Sequence, residues 1–107
     1  MVEIFKVLGD ETRLRILAQI LKEEMCVCEI EACLDLTQSN ASRHLTILKR
    51  AGILLSYKKA QWVYYKINGA FINKHALLFE YLSEEVKKLS CYDGDCEKLE
   101  IFKQEKA

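Results

Sequence analysis

Two cysteines, Cys26 and Cys28, lie two residues apart in the segment Met25-Cys26-Val27-Cys28-Glu29. Their thiolates would prefer soft metal or metalloid ions to Mg²⁺ or Ca²⁺. The segment lies just before a predicted helix-turn-helix, whose second helix begins near Gln38. Because an ion bound at these thiols would disturb a helix that contacts DNA, the spacing predicts a sensor.

Three further cysteines extend the candidate site. Cys91 and Cys96 flank an Asp-Gly pair that predicts a turn, so their sulfurs could converge as metal ligands. Three alternatives stay open: they complete the Cys26/Cys28 site from the same or a partner chain, they bind metal independently, or they are incidental in a flexible tail. Cys33 falls about 140° from Cys28 on a helix, so we expect it in the core as a small apolar residue.

The 107-residue chain has no net charge at pH 7, but its charges are unevenly distributed. Residues 36–79 contain no Asp or Glu, whereas the segments before and after them hold eight acids each. A single basic face is enough to attract phosphate. The alternative is a solvated charge cluster, but the basic block coincides with the predicted helix-turn-helix. Its basic residues are Arg43, Lys49, Arg50, Lys58, Lys59, Lys66 and Lys74.

Periodicity and end signals predict a mainly helical winged helix-turn-helix of about five helices with a β-hairpin wing. Asp10 and Thr37 are predicted helix N-caps, and Gly52 is the predicted stop of the helix that follows Thr37. We expect residues 1–89 to form the DNA-binding and dimerisation domain, and residues 90–107 to form a polar, cysteine-containing tail. The predicted helices span about 2–8, 11–22, 28–34, 38–50 and 70–89, and the hairpin strands span 53–57 and 62–67.

The second helix of the predicted helix-turn-helix has a core side and a polar side. Ala41, Leu45 and Leu48 share the core side at helical spacing. Arg43 is the best candidate for a contact to a base edge, because recognition helices read bases mainly from their N-terminal part. His44 projects nearer the core and is expected to be structural. The candidate DNA-contacting residues, including two wing lysines that would bind the backbone, are Gln38, Ser39, Asn40, Ser42, Arg43, Arg50, Lys58 and Lys59.

The predicted last helix carries a broad apolar stripe, which is too large for an exposed helix of a small monomer. The stripe predicts a homodimer formed through the N-terminal helix and this last long helix. His75 lies on the stripe and is expected at the interface. The stripe consists of Phe71, Ile72, His75, Leu78, Phe79, Leu82, Val86 and Leu89.

These segments resemble the ArsR/SmtB family of metal-sensing winged-helix repressors over residues 4 to about 89. Met25-Cys26-Val27-Cys28-Glu29 is similar to the metal box of the arsenic, antimony, cadmium and lead sensors. The resemblance implies a homodimer that represses a metalloid-resistance operon and leaves its double-stranded operator when As(III) or Sb(III) binds, with Cd, Pb or Zn as alternative inducers. It is carried by Ile4-Phe5-Lys6-Val7-Leu8-Gly9-Asp10-Glu11-Thr12-Arg13-Leu14-Arg15-Ile16-Leu17, by Gln38 to Leu48 with Ala51-Gly52, and by Trp62-Val63-Tyr64-Tyr65.

Several positions depart from the pattern of the family. Arsenic repressors of the best-known type have a third cysteine three places after the second, where this chain has Glu31. The wing tip of the family usually carries Gly and Arg, where this chain has Ala60 and Gln61. A separate zinc site of the family needs paired acid and histidine ligands on the last helix. Only Asn73-Lys74-His75 stands there, with Val86 in place of a second histidine, so we expect that site to be absent.

A second hypothesis makes the same thiols a redox switch, in which oxidation of Cys26 and Cys28, or of Cys91 and Cys96, releases DNA. An enzyme such as a small dithiol reductase is disfavoured, because the sequence predicts no βαβ unit and no nucleophile with its base. No organic cofactor is expected. Since the sequence has neither a recognisable signal peptide nor an apolar run of membrane-span length, we expect a cytoplasmic protein without membrane contact.

Overall fold

A winged helix-turn-helix is built from seven α-helices and one three-stranded antiparallel sheet within residues 1–106, which the computed structural model describes. The predicted fold is confirmed, with more helices than the five expected. No helix in this range is long and apolar enough to cross a membrane. The elements are α1 Val2–Leu8, α2 Glu11–Ile20, β1 Met25–Cys26, α3 Val27–Leu34, α4 Gln38–Arg50, β2 Leu54–Lys59, β3 Trp62–Ile67, α5 Gly69–Lys74, α6 Ala76–Glu85 and α7 Tyr92–Lys106.

Local signals in the sequence set the ends of the main helices. The Asp10 side chain accepts a hydrogen bond from the backbone N–H of Arg13, at 3.1 Å, and so caps α2. Thr37 caps α4 in the same way, accepting from the N–H of Asn40 at 3.2 Å. Gly52 follows α4 with φ +80°, a backbone conformation that costs glycine little. All three predicted helix signals are confirmed.

The sheet has the order β1-β3-β2, so the second wing strand is its central strand. The hairpin closes at the pair Lys59 and Trp62, and Ala60 at its tip has φ +58°. The two-residue strand β1 pairs with β3, with Cys26 opposite Tyr64. This short strand was not predicted, because two residues carry no alternating pattern, and it attaches one candidate thiol directly to the wing.

The single helix predicted over 70–89 is divided into α5, α6 and a 3-10 turn at Val86–Lys88. The helical path breaks at His75, which has φ −128° and ψ 49°. The His75 ring packs on the Phe71 ring of the same protomer, with centroids 5.3 Å apart. Much of the predicted stripe belongs to the core of the protomer rather than to a free surface. Its fully buried members are Phe71, Leu82 and Val86.

The prediction of a polar tail is wrong for residues 90–106, which form the helix α7 and pack on α2 and α3. Leu99 enters the common hydrophobic core and is only 1% exposed. Arg15 of α2 donates two hydrogen bonds to the buried Asp95 carboxylate, at 2.8 and 2.9 Å. Ala107 lies outside the described residues. Two further ion pairs hold α7, Lys98 with Asp35 and Lys103 with Glu23.

Candidate DNA interface and thiol site

Helix α4 presents its polar side to solvent, as its sequence pattern predicts. Ala41, Leu45 and Leu48 are wholly buried against the rest of the domain. Of the candidate contact residues on α4, only Ser42 is half-buried. The orientation of the helix is thereby confirmed, while the contact with DNA stays a prediction. The exposed candidates on α4 are Gln38, Ser39, Asn40, Arg43 and Arg50.

His44 is buried, as predicted, and its ring lies between two guanidinium groups. Its Nδ1 is 3.2 Å from Nη1 of Arg13, and its Nε2 is 3.3 Å from Nη2 of Arg43. A neutral imidazole has only one acceptor nitrogen, so it fully accepts from one arginine at a time. Arg13 is also anchored elsewhere, since its Nε donates to the Val7 carbonyl at 2.7 Å. His44 therefore connects α2 to the exposed arginine of the candidate reading surface.

The surroundings of His44 favour its neutral form. Burial, the most important cause, and the charges of Arg43 and Arg13 lower its pKa, whereas the Asp10 carboxylate acts in the opposite direction. The usual pKa of histidine lies near 6.5. His44 is therefore uncharged at neutral pH, and its protonation would place a third positive charge between two arginines.

The wing extends the basic surface away from α4. Lys58 and Lys59 are exposed at the end of β2, beside the hairpin tip. Tyr57 stacks on Tyr64 across the two wing strands, with ring centroids 5.7 Å apart, and Lys66 lies over the Tyr57 ring at 5.6 Å. These cross-strand contacts stiffen the hairpin, so the two terminal lysines are held on a firm support.

Cys26 and Cys28 form a close thiol pair at the start of α3. Their sulfurs are 2.7 Å apart, in a contact in which one thiol donates to the other. Cys26 also caps α3, because its backbone N–H donates to the Glu29 carboxylate at 2.9 Å and its sulfur accepts from the Glu29 backbone N–H. Ligation of this sulfur would therefore compete with the cap of the first helix of the helix-turn-helix.

Burial, followed by the hydrogen bond with Cys28, raises the pKa of Cys26 to about 12, and the nearby Glu29 charge acts in the same direction. The thiol is therefore protonated at neutral pH. A soft ion binds thiolate rather than thiol, so its capture here must expel a proton.

A cavity of about 270 Å³ opens beside the thiol pair and reaches both elements of the candidate DNA interface. Gln38, the first residue of α4, forms one wall, and Trp62 of the wing forms another. Glu31, which occupies the place of the third cysteine of arsenic repressors, also lines it. In residues 1–106, however, no group of three or more His, Cys, Asp or Glu side chains is placed to hold a metal ion. The chain thus brings two sulfurs together, without a third ligand from the same protomer.

The other three cysteines lie elsewhere. Cys33 is wholly buried, as predicted, and burial raises its pKa to about 12. Cys91 and Cys96 flank the first turn of α7, not a hairpin-like turn, because Asp95 N–H donates to the Cys91 carbonyl at 2.9 Å. Five residues on a helix separate two side chains by about 140°. The predicted convergence of Cys91 and Cys96 is therefore wrong, and the structure does not bring them to the Cys26/Cys28 pair.

Two functional features were missed in the sequence. The pairing of Cys26 with Tyr64 joins residues 38 positions apart, and no local pattern indicates it. The polar surroundings of Cys96, described below, depend on α7 packing against α2. The sparse apolar residues of α7 gave no clear amphipathic pattern that would have predicted this packing.

Comparison with known proteins gives consistent similarities. The family model described as "Bacterial regulatory protein, arsR family" matches residues 10–56. The arsenic resistance transcriptional regulator ArsR1 of Pseudomonas putida is 48% identical over 61% of this chain, which spans 52% of that protein. The arsenical resistance operon repressor of Bacillus subtilis is 36% identical over 86% of this chain and 85% of its own length. The cadmium resistance regulator CadC of Listeria innocua is 39% identical over 77% and 70%. The chain therefore spans only about half of the Pseudomonas relative.

Solved structures support the same fold. HlyU from Vibrio cholerae superposes with a TM-score of 0.67 at 32% identity, covering 84% of this chain and 90% of that one. The homodimeric winged helix-turn-helix DNA-binding domain Mb0332 from Mycobacterium bovis superposes with a TM-score of 0.67 at 25% identity, covering 78% of each chain.

Proposed function

The chain belongs to the ArsR family of bacterial regulatory proteins, and we propose that it is a metalloid-responsive repressor. In this proposal a homodimer binds a double-stranded operator in the cytoplasm and is released when As(III) or Sb(III) binds the Cys26/Cys28 pair. It catalyses no reaction and needs no organic cofactor. Arsenical resistance repressors among its relatives support the metalloid, and a cadmium resistance regulator keeps Cd, with Pb and Zn, as the alternative.

The exposed polar side of α4 and the wing lysines support DNA binding. Arg43 is the residue we assign to a base edge, since Arg pairs well with the acceptor edge of guanine. Lys58 and Lys59 are assigned to backbone phosphates, where they add affinity without reading sequence. The absence of any acid between residues 36 and 79 keeps this surface free of repulsion from the DNA.

An apolar surface formed by α1 and α6 supports a homodimer. Leu77 is 84% exposed, and Val2, Phe5 and Tyr81 are exposed as well. A groove of about 360 Å³ runs between the two helices, lined mainly by apolar side chains. Exposed apolar surface of this kind marks an interface. The similar Mb0332 domain is homodimeric, and we assign the same role to this face, which would place two α4 helices on one duplex.

One observation carries the link between ion and DNA: Cys26 belongs to both the wing sheet and the start of α3. Ligation of its sulfur would withdraw the cap of α3 and pull on β3 through the β1 pairing. The cavity beside the pair is walled by Gln38 and Trp62, so an ion held there lies between the reading helix and the wing. Both elements would move together, and the dimer would lose its fit to the two half-sites.

The third ligand is assigned to solvent or to a cysteine of the partner subunit. Cys96 of the same chain lies instead against Gln19 and Lys22. A pair of thiolates completed by a small exchangeable ligand fits a metalloid better than zinc, which is almost always held by four protein ligands in structural sites.

The test is operator binding, measured by fluorescence anisotropy on a DNA fragment selected from a random library. Cys28→Ser is expected to bind this fragment like the wild type, but to need about 100-fold more arsenite for release, which matches a coupling of about 3 kcal/mol. Cys91→Ser is the matched control and should respond normally. Release of Cys28→Ser at wild-type arsenite concentrations would reject the site. Titrations with antimonite, cadmium and zinc identify the ion.

The 2.7 Å separation of the two sulfurs favours one second candidate, a thiol redox switch. Peroxide would remove two electrons and two protons from the pair, forming a disulfide and two waters. Release of the operator by peroxide without any added ion, reversed by a dithiol reductant, would favour this function over ion sensing.

A further inference from the structure

Three donors surround the sulfur of Cys96 where α7 meets α2. The Lys22 ammonium donates to Sγ at 3.1 Å, and Nε2 of Gln19 lies 3.6 Å from the same sulfur. The Tyr92 side chain also bonds to Cys96; burial and then this bond raise the pKa of Tyr92. Lys22 additionally lies over the Tyr92 ring, 6.0 Å from its centroid. A half-buried thiol thus meets a cation, an amide and a phenol, which together stabilise negative charge at the sulfur.

Gln19 leaves one hydrogen-bonding atom of this site unused. Its side chain is wholly buried, with 0% exposure, and its Oε1 has no partner among the described residues. Exchanging the oxygen and nitrogen of the amide would only leave the nitrogen unpaired instead. A buried polar atom without a partner costs about 1–3 kcal/mol, so the site has room in its hydrogen bonding for one additional group.

The two neighbouring cysteines lack this environment. Cys33 is wholly buried, which shields it from reagents. Burial, and next the negative charge of Asp95, raise the pKa of Cys91, so its thiolate is disfavoured. Cys96 alone among these three has a lysine ammonium within hydrogen-bond distance in the described part of the chain.

We propose that Cys96 is a peroxide-reactive thiol whose sulfenic acid is held by Lys22 and Gln19. The sulfur attacks one oxygen of hydrogen peroxide, and the S–O bond forms as the O–O bond breaks. The second oxygen leaves as water with the proton that the thiol gives up, passed through the Lys22 ammonium. Thiol and peroxide thus give sulfenic acid and water, with the sulfur losing two electrons. The new S–OH donates to Gln19 Oε1, which supplies the missing partner, and its oxygen accepts from Lys22.

This site is independent of the function proposed for Cys26 and Cys28. It lies on the α2–α7 contact, far along the chain from the thiol pair, and requires neither an ion nor DNA.

The experiment uses the full chain with a few equivalents of hydrogen peroxide, dimedone to trap sulfenic acid, and peptide mass spectrometry to locate the label. All five cysteines compete in the same wild-type sample, and Cys96 is expected to carry most of the label. Lys22→Met is expected to slow labelling at Cys96 about tenfold, because the proton relay and the ammonium are lost. Lys98→Met is the matched control: it removes the same charge from α7, but its ion-pair partner is Asp35, and its rate should stay within about twofold of wild type.

Either of two results overturns the proposal. One is a wild-type sample in which Cys28 or Cys91 is labelled faster than Cys96. The other is a folded Lys22→Met variant that reacts at the wild-type rate. The first measurement needs no variant, so it decides even if a substitution harms folding.

Discussion

Leu99 is the side chain through which α7 joins the hydrophobic core, and its replacement by alanine is expected to destabilise the fold by about 3 kcal/mol. The wild-type side chain is 1% exposed. Leu→Ala removes about three buried carbon groups, each contributing about 0.8 kcal/mol, and leaves a cavity that adds to this loss. Ile101 is the matched control, because it lies on the same helix and is 47% exposed. Ile101→Ala should cost less than about 1 kcal/mol.

The assay is urea unfolding followed by circular dichroism, with all variants at one protomer concentration, because dimerisation makes stability depend on concentration. For an m-value of about 2 kcal/mol/M, Leu99→Ala should lower the midpoint by about 1.5 M. A shift below about 0.3 M, or equal shifts for Leu99→Ala and Ile101→Ala, would refute the conclusion that α7 is an integral part of the domain.

Three further outcomes test the remaining geometry. Because burial and two arginines lower the pKa of His44, the unfolded chain binds more protons near pH 6, so stability should fall from pH 7 to pH 5; His44→Gln should flatten this slope in thermal melts. Ala60→Gly should raise the free energy of unfolding by about 0.5–1 kcal/mol in urea titrations, because it relieves a non-glycine residue at φ +58°, and an unchanged midpoint would argue against strain at the tip. Replacing Lys58 and Lys59 together by Gln should reduce the slope of log K against log salt by about 2 without changing operator preference; a changed preference would show that they read bases.

Short-range features of the sequence were enough to predict the DNA-binding half of the molecule. Asp10 and Thr37 act on N–H groups three residues away, and the buried side of α4 follows from helical spacing alone. Gly at the wing tip of related proteins has a physical reason here, since Ala60 adopts the left-handed conformation that glycine prefers. The close approach of Cys26 and Cys28 also follows from neighbours in the chain.

The sequence by itself thus determined the order of the elements, the outward side of the reading helix, the basic block and the thiol pair. Each of these depends on residues within a few positions of one another. Only the tertiary structure decided that β1 joins Cys26 to the wing, that α7 is part of the core, and that Cys96 meets Lys22 and Gln19. The last contacts join residues 74 and 77 positions apart. Such pairings depend on how whole elements pack, because the α2 and α7 segments carry no local pattern that specifies their mutual register.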